Sequence, residues 1–152
     1  MNKLAALVNQ LQPHIVDFEK SNIKFSAANV GWQIEHSLIT IDMIIMVLKK
    51  SNSANFQSKF NFSKFRVFLF NKIPRGRAKA PKIVTPQVGY TIASLQHHIT
   101  ITLQNIDSLS TIQPNQFFKH PYFGDLKLKD AIKFLEIHTQ HHLSIIKDII
   151  SK

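Results

Sequence analysis

Three stretches of more than 20 residues repeat apolar side chains every three or four positions, and that period commits most of the chain to helices sharing one core. One runs roughly from Ala27 to Lys49 through Val30, Ile34, Leu38, Ile41, Ile45 and Leu48. Ser26 is its expected N-cap, and Lys49 and Lys50 suit the negative end of its dipole. A later helix is expected to start at Thr85 and Pro86 and to reach about Leu109 through Ile92, Leu95, Ile99, Leu103 and Ile106. The last runs from Leu128 to Ile150 along Ala131, Leu135, His138, His142, Ile145 and Ile149. Ahead of all three, Lys3 to Glu19 reads as a first helix divided by Pro13.

Connection lengths order these pieces. The link Lys20 to Lys24 is short, so the first and second helices should be antiparallel. Residues 51–85 are long enough to recross the molecule, which lets the second and third helices run the same way. The expected fold is all-α: a four-helix bundle in up-down-down-up order, a single domain over 1–152, with a long crossover between helices 2 and 3. Within the crossover, FNFSKFRVFLFNK is a candidate short helix. IPRGRAKAPKIVTP, punctuated by Pro74, Gly76, Pro81 and Pro86, reads as an ordered loop. No strand pattern competes, although Lys82 to Thr85 has the character of a local extended piece.

Composition narrows the chemistry. There is no Cys, so neither a disulfide nor a thiolate ligand is available, and a metal site must use His, carboxylate or carbonyl groups. This agrees with a cytoplasmic protein. The N-terminal apolar patch is followed by Asp17 and Glu19 and lacks a small-residue cleavage site, which argues against a secretory leader. No run of ~18 uncharged apolar residues suggests a membrane span. The net charge is +10, and Lys59, Lys64, Arg66, Lys72, Arg75, Arg77, Lys79 and Lys82 follow one another without an acid. Such a field favours anionic partners.

The strongest chemical signal lies in the last helix. His138 and His142 are four residues apart, on one face, inside a stripe where Leu or Ile would be expected. Buried imidazoles need partners for their nitrogens, and two on adjacent turns can share a metal ion. The intervening residues are Thr139, Gln140 and His141, so no Glu follows the first His and zinc-peptidase chemistry is ruled out. A third ligand must come from another helix, and His36 is the best candidate. It lies ~20 Å from the end of its helix, while His138 and His142 lie ~15 and ~21 Å from the start of theirs. In antiparallel helices the three share one level. The other histidines carry weaker signals: His97 and His98 read as a solvated face, His141 points away from the pair, His120 could line an opening, and His14 has no visible partner. Glu35 is the nearest carboxylate to His36 but points elsewhere on the helix.

The segment HPYFGDLKLKDAIKFLEIHTQHHLSIIKDI resembles the final helix of the DinB-like superfamily, which includes the YfiT-like metal-dependent hydrolases. IPRGRAKAPKIVTP is similar to the connection before helix 3 in one branch, and FSAANVGWQIEHSL resembles the turn leading to that family's single His of helix 2. The resemblance implies an up-down-down-up bundle with a three-His site, and carried over it falls on His36, His138 and His142. It also implies hydrolase or thiol-dependent transferase chemistry. With no Cys in the chain, the thiol would be an external low-molecular-weight one.

The expected function is therefore a metal-dependent enzyme acting on a small anionic or thiol substrate. Its cofactor is one divalent ion, zinc or nickel first, with iron or manganese as further candidates. The apolar excess on the helices also makes a homodimer reasonable. The rival is a non-enzymatic anion or nucleic-acid binding module built on 59–82, where Phe60, Phe62, Phe65, Phe68 and Phe70 interleave with the cations. Nucleic acid is the less favoured partner, because the expected role of those Phe side chains is to pack the crossing helix onto the bundle.

Overall fold

The computed structural model describes residues 3–76 and 80–151. Arg77 and Lys79 of the basic segment lie outside the described residues. The chain forms α1 (Lys3–Asn9), α2 (Val30–Lys50), α3 (Phe62–Phe70), α4 (Ile92–Asp107), a hairpin of β1 (Phe117–His120) and β2 (Gly124–Lys127), and α5 (Leu128–Ile150). It is mainly helical, as the apolar period requires. α2 packs against both α4 and α5, and α1 also touches α4 and α5. Leu4, Leu11, Ile34, Leu38, Leu95, Ile106, Leu135 and Ile146 fill the space between them. α2 is by length and apolar character able to cross a membrane, and most of its apolar stretch is buried inside the protein. Its apolar character is thus largely spent on two neighbouring helices.

Several boundaries differ from expectation. Pro13 does end the first helix, and a 3-10 turn over Gln12–Asp17 continues the chain. α2 begins at Val30, not Ala27, and its N-cap is Asn29, whose side chain accepts from the Trp32 amide at 2.9 Å. Ser26 has other work: its hydroxyl accepts from the Ala28 amide and from Gln33 Nε2. α4 begins at Ile92, because Thr91 and Ser94 form a reciprocal capping box. Thr85 and Pro86 instead belong to the crossing loop, and Lys82–Val84 is a 3-10 turn, not an extended piece.

The hairpin was not expected. Its strands are only four residues long, too short for alternation to declare itself. It runs directly into α5, and the Gln116 carbonyl accepts the Leu128 amide at 2.9 Å. That bond satisfies one N–H at the helix start, where the Lys127 side chain makes no cap. The hairpin also anchors the crossover: the Asp125 carboxylate accepts from the Gln57 amide, and Asn61 Nδ2 donates to the Tyr122 carbonyl, both at 2.8 Å.

α3 is the predicted short helix, but its Phe side chains do not pack as expected. Only Val67 is buried, and Phe68 is half-buried with its ring edge-on to Phe123. Phe60, Phe62, Phe65 and Phe70 are exposed. The helix is held to α5 by Val67, Phe68 and an ion pair of Lys64 with Asp130, so one turn's worth of inward positions is enough to fix it.

The start of α2 is held by two other segments. The Gly31 amide donates to the Phe18 carbonyl at 2.8 Å, and the Tyr90 hydroxyl donates to Asn29 Oδ1 at 2.6 Å. A Cβ on Gly31 would run into the Tyr90 ring and stand 3.0 Å from the Phe18 carbonyl oxygen. Ala for Gly inside a helix ordinarily gains about 1 kcal/mol. Here Gly31→Ala should lower stability by about 1–3 kcal/mol, the usual cost of overpacking. A urea midpoint at or above that of the parent would show that Tyr90 yields freely.

Candidate metal centre

His36 sits in the second turn of α2, and His138 and His142 sit on successive turns of α5. The packing of α2 on α5 brings all three together. Ring centroids are 5.0 Å apart for His36 and His138, 4.8 Å for His36 and His142, and 4.5 Å for His138 and His142. Each offers one nitrogen within 4.8 Å of the others', and all three side chains are buried. This close group can bind a metal ion.

Hydrogen bonding decides which nitrogens are free. His36 Nδ1 lies 2.7 Å from the Val84 carbonyl, which can only accept, so Nδ1 carries the proton and Nε2 keeps its lone pair. His142 Nδ1 likewise donates to Gln33 Oε1 at 2.6 Å. Gln33 is fixed in turn by its amide bond to the Ser26 hydroxyl at 3.0 Å. A carbonyl or amide oxygen behind a ligating imidazole is the usual means of fixing its tautomer and orientation. His142 Nε2 and His138 Nε2 are 3.2 Å apart. Two nitrogens each about 2.0–2.1 Å from a common ion would be separated by about 3 Å, so this spacing suits one coordination shell. His138 Nδ1 is the one buried side-chain polar atom with no partner among the described residues. An ion held at Nε2 would not satisfy it, so the His138 ring has no hydrogen bond behind it of the kind that orients His36 and His142. The donor set, the tautomers of His36 and His142 and the spacing fit a divalent ion.

The surroundings keep the imidazoles neutral. Burial lowers the pKa of His36, and the Val84 bond only partly opposes it. Burial also pushes His138 and His142 well below the ordinary value, with further lowering from neighbouring histidines. Trp32 stacks on His36 at 4.7 Å and an interplanar angle of 17°, and Phe134 lies against His138.

The cluster opens on a cleft of about 1010 Å³ walled by α2, α3, α5, the crossing loop and the hairpin turn. His120 and His141 line it as well, and burial lowers both to about 4. His120 thus does line an opening, stacked on Phe123 at 4.2 Å. Among the described lining residues there is no carboxylate, while Arg66, Lys72 and Arg75 are present. Gln33, Val84 and Trp32 escaped notice in the sequence. Gln33 carried a usable signal, a polar residue one helical turn before His36 on a buried face. A loop carbonyl such as that of Val84 gives none.

Outside the cleft, His97 is exposed as expected, but His98 is not on a solvated face. Its Nδ1 lies 2.9 Å from Glu35 and its Nε2 3.0 Å from Asp42, across the α2–α4 contact. Glu35 therefore faces α4 and is no part of the cluster.

The fold and the site together define a mainly helical protein with a buried three-imidazole group at the base of an aromatic cleft. Comparison with protein-family models, with curated proteins and with solved structures finds no match to this chain.

Proposed function

We propose that the protein is a DinB-like metal protein that holds one divalent ion, zinc or nickel first, through His36, His138 and His142 and acts on a small molecule. The observation that carries this reading is the convergence of three buried imidazoles on one point, two of them with their tautomers fixed by Val84 and Gln33. When bound, a dication on three neutral ligands supplies an open Lewis-acid position that draws in water, a thiolate or a carboxylate. His36 and His142 are braced by Val84 and Gln33, so the ligand set is already oriented before the ion arrives. A thiol-dependent reaction would take its thiol from a small external molecule, since the chain has no Cys.

The proposed architecture is a four-helix bundle in up-down-down-up order. Glu35 and Asp42 of α2 meet His98 and then Thr102 and Asn105 of α4, which supports a common direction. Gln33 near the start of α2 meets His142 late in α5, whereas Ser51 just after α2 meets Phe117, ahead of α5, which supports opposite directions. Lys3 pairs with Glu136, and the Gly31 amide meets Phe18, which supports α1 returning beside α5. We further propose a cytoplasmic setting.

Protein purified without an affinity tag and loaded with zinc or nickel should carry close to one ion per chain by elemental analysis. Protein that emerges metal-free after loading would end the reading. The non-enzymatic nucleic-acid reading keeps second place because Phe60, Phe62 and Phe65 stand exposed near Lys59 and Arg66. Mobility-shift binding that persists at physiological salt and falls steeply above it would promote that reading. Weak binding independent of sequence is the expected result.

A further inference from the structure

The cleft above the histidines has an uneven chemistry. Its inner wall is aromatic, formed by Trp32, Phe118, Phe123 and Phe134. Its charged lining residues are Arg66, Lys72 and Arg75. Arg75 is already engaged, donating to Asp148 and to Ser144 on α5. Arg66 and Lys72 have no side-chain partner among the described residues, and both are exposed. No acid occurs between Asp42 and Asp107, so no carboxylate of the crossover competes for them.

We propose that the cleft takes an amphipathic monoanion: an acyl or aromatic body against the aromatic wall, with its carboxylate, sulfonate or phosphate held by Arg66 and Lys72 at the mouth. The inference rests on the metal-centre reading for the chemistry at the inner end, where the apolar body would meet the histidines. A wholly polar anion would leave the aromatic wall wet, and a neutral apolar molecule would leave two cations unused. A cationic ligand would meet Arg66 and Lys72, neither of which has a carboxylate partner among the described residues. A small anion alone could reach the histidines, but it would not fill a space of this size.

Trp32 is the only tryptophan and lies in the cleft wall, so its fluorescence reports occupancy directly. Metal-free protein would be titrated with octanoate, 1-octanol and octylammonium, which share one chain and differ in head group. Octanoate is expected to bind saturably and about fivefold more tightly than octanol, the range for exposed ion pairs, with octylammonium weakest. In the double variant Arg66→Gln, Lys72→Gln, octanoate should fall to the level of octanol while octanol binding stays unchanged, which also shows that the cleft is intact. Equal binding of octanoate and octanol by the parent would overturn the proposal, as would a preference for octanoate that survives in the double variant. A preference that appears only after zinc loading would place the anion on the histidines and overturn the assignment to Arg66 and Lys72. Elemental analysis of the zinc-loaded protein tests the histidine cluster separately, so loss of either reading leaves the other measurable.

Discussion

His142→Ala and His138→Ala are each expected to reduce metal affinity by at least about a hundredfold, and His97→Ala by nothing measurable. The triad is the minimum set for a stable site: two imidazoles from α5 without His36, or one with it, leave the ion mostly to water. His97 is exposed on α4, far from the cluster in the packing order, and serves as the control. Gln33→Leu should be intermediate, about 10–100-fold, because it removes the acceptor that fixes the His142 tautomer while leaving every ligand present. Isothermal titration with zinc would rank the four. Equal affinity in His138→Ala and the parent would dismiss the site. His138→Ala gives up the 3.2 Å contact between the two Nε2 atoms, and His142→Ala also leaves Gln33 Oε1 without its donor, so far-ultraviolet circular dichroism of each variant should accompany the titration.

The second large effect concerns pH and lies away from the cleft. His98 spans Glu35 and Asp42, while Thr102 and Asn105 also bond Asp42. Burial alone would disfavour its charge, but the hydrogen bonds and charges of Asp42 and Glu35 outweigh it and raise the pKa to about 9. A raised folded-state pKa gives stability that is fully present below the unfolded value of about 6.5 and is lost as pH climbs through about 9. The loss is on the order of 3 kcal/mol at most. The histidines lowered by burial act in the opposite window: below about 6.5 the unfolded chain binds protons that buried His36, His120, His138, His141 and His142 refuse. Stability should therefore peak near neutral pH. In His98→Gln the alkaline decline should flatten, and stability near pH 6.5 should fall by about 3 kcal/mol, since two carboxylates lose their cation. Parallel alkaline slopes for parent and variant would assign the decline to other groups.

The difference between what the sequence revealed and what it concealed follows from range. The stripe of α5 and the i, i+4 histidine pair are properties of one helix, so they could be read residue by residue. His36 was reached by a depth argument that needs only the rise per residue, and the three rings do converge. His98 was misread because its polar neighbours on α4 suggest water, while the carboxylates that occupy it come from α2, more than 50 residues earlier. The start of α4 was misplaced because two plausible caps lie six residues apart, and the pair that closes reciprocally wins. The Phe run of α3 was misjudged for a different reason. Apolar composition says nothing about how many sides of a short helix have a neighbour.

The bond from His36 to Val84 changes what kind of segment the crossover is. A long Pro- and Gly-bearing connection would ordinarily be the place where a chain accepts extra residues at little cost. Around Gly76, in an exposed turn, that tolerance should hold. Between Pro81 and Tyr90 it should not. There the backbone aims one carbonyl at an imidazole and one phenol at a helix cap, both fixed to within a hydrogen-bond length. In descendants of this chain, the crossover should vary freely in length before Pro81 and keep its register after it.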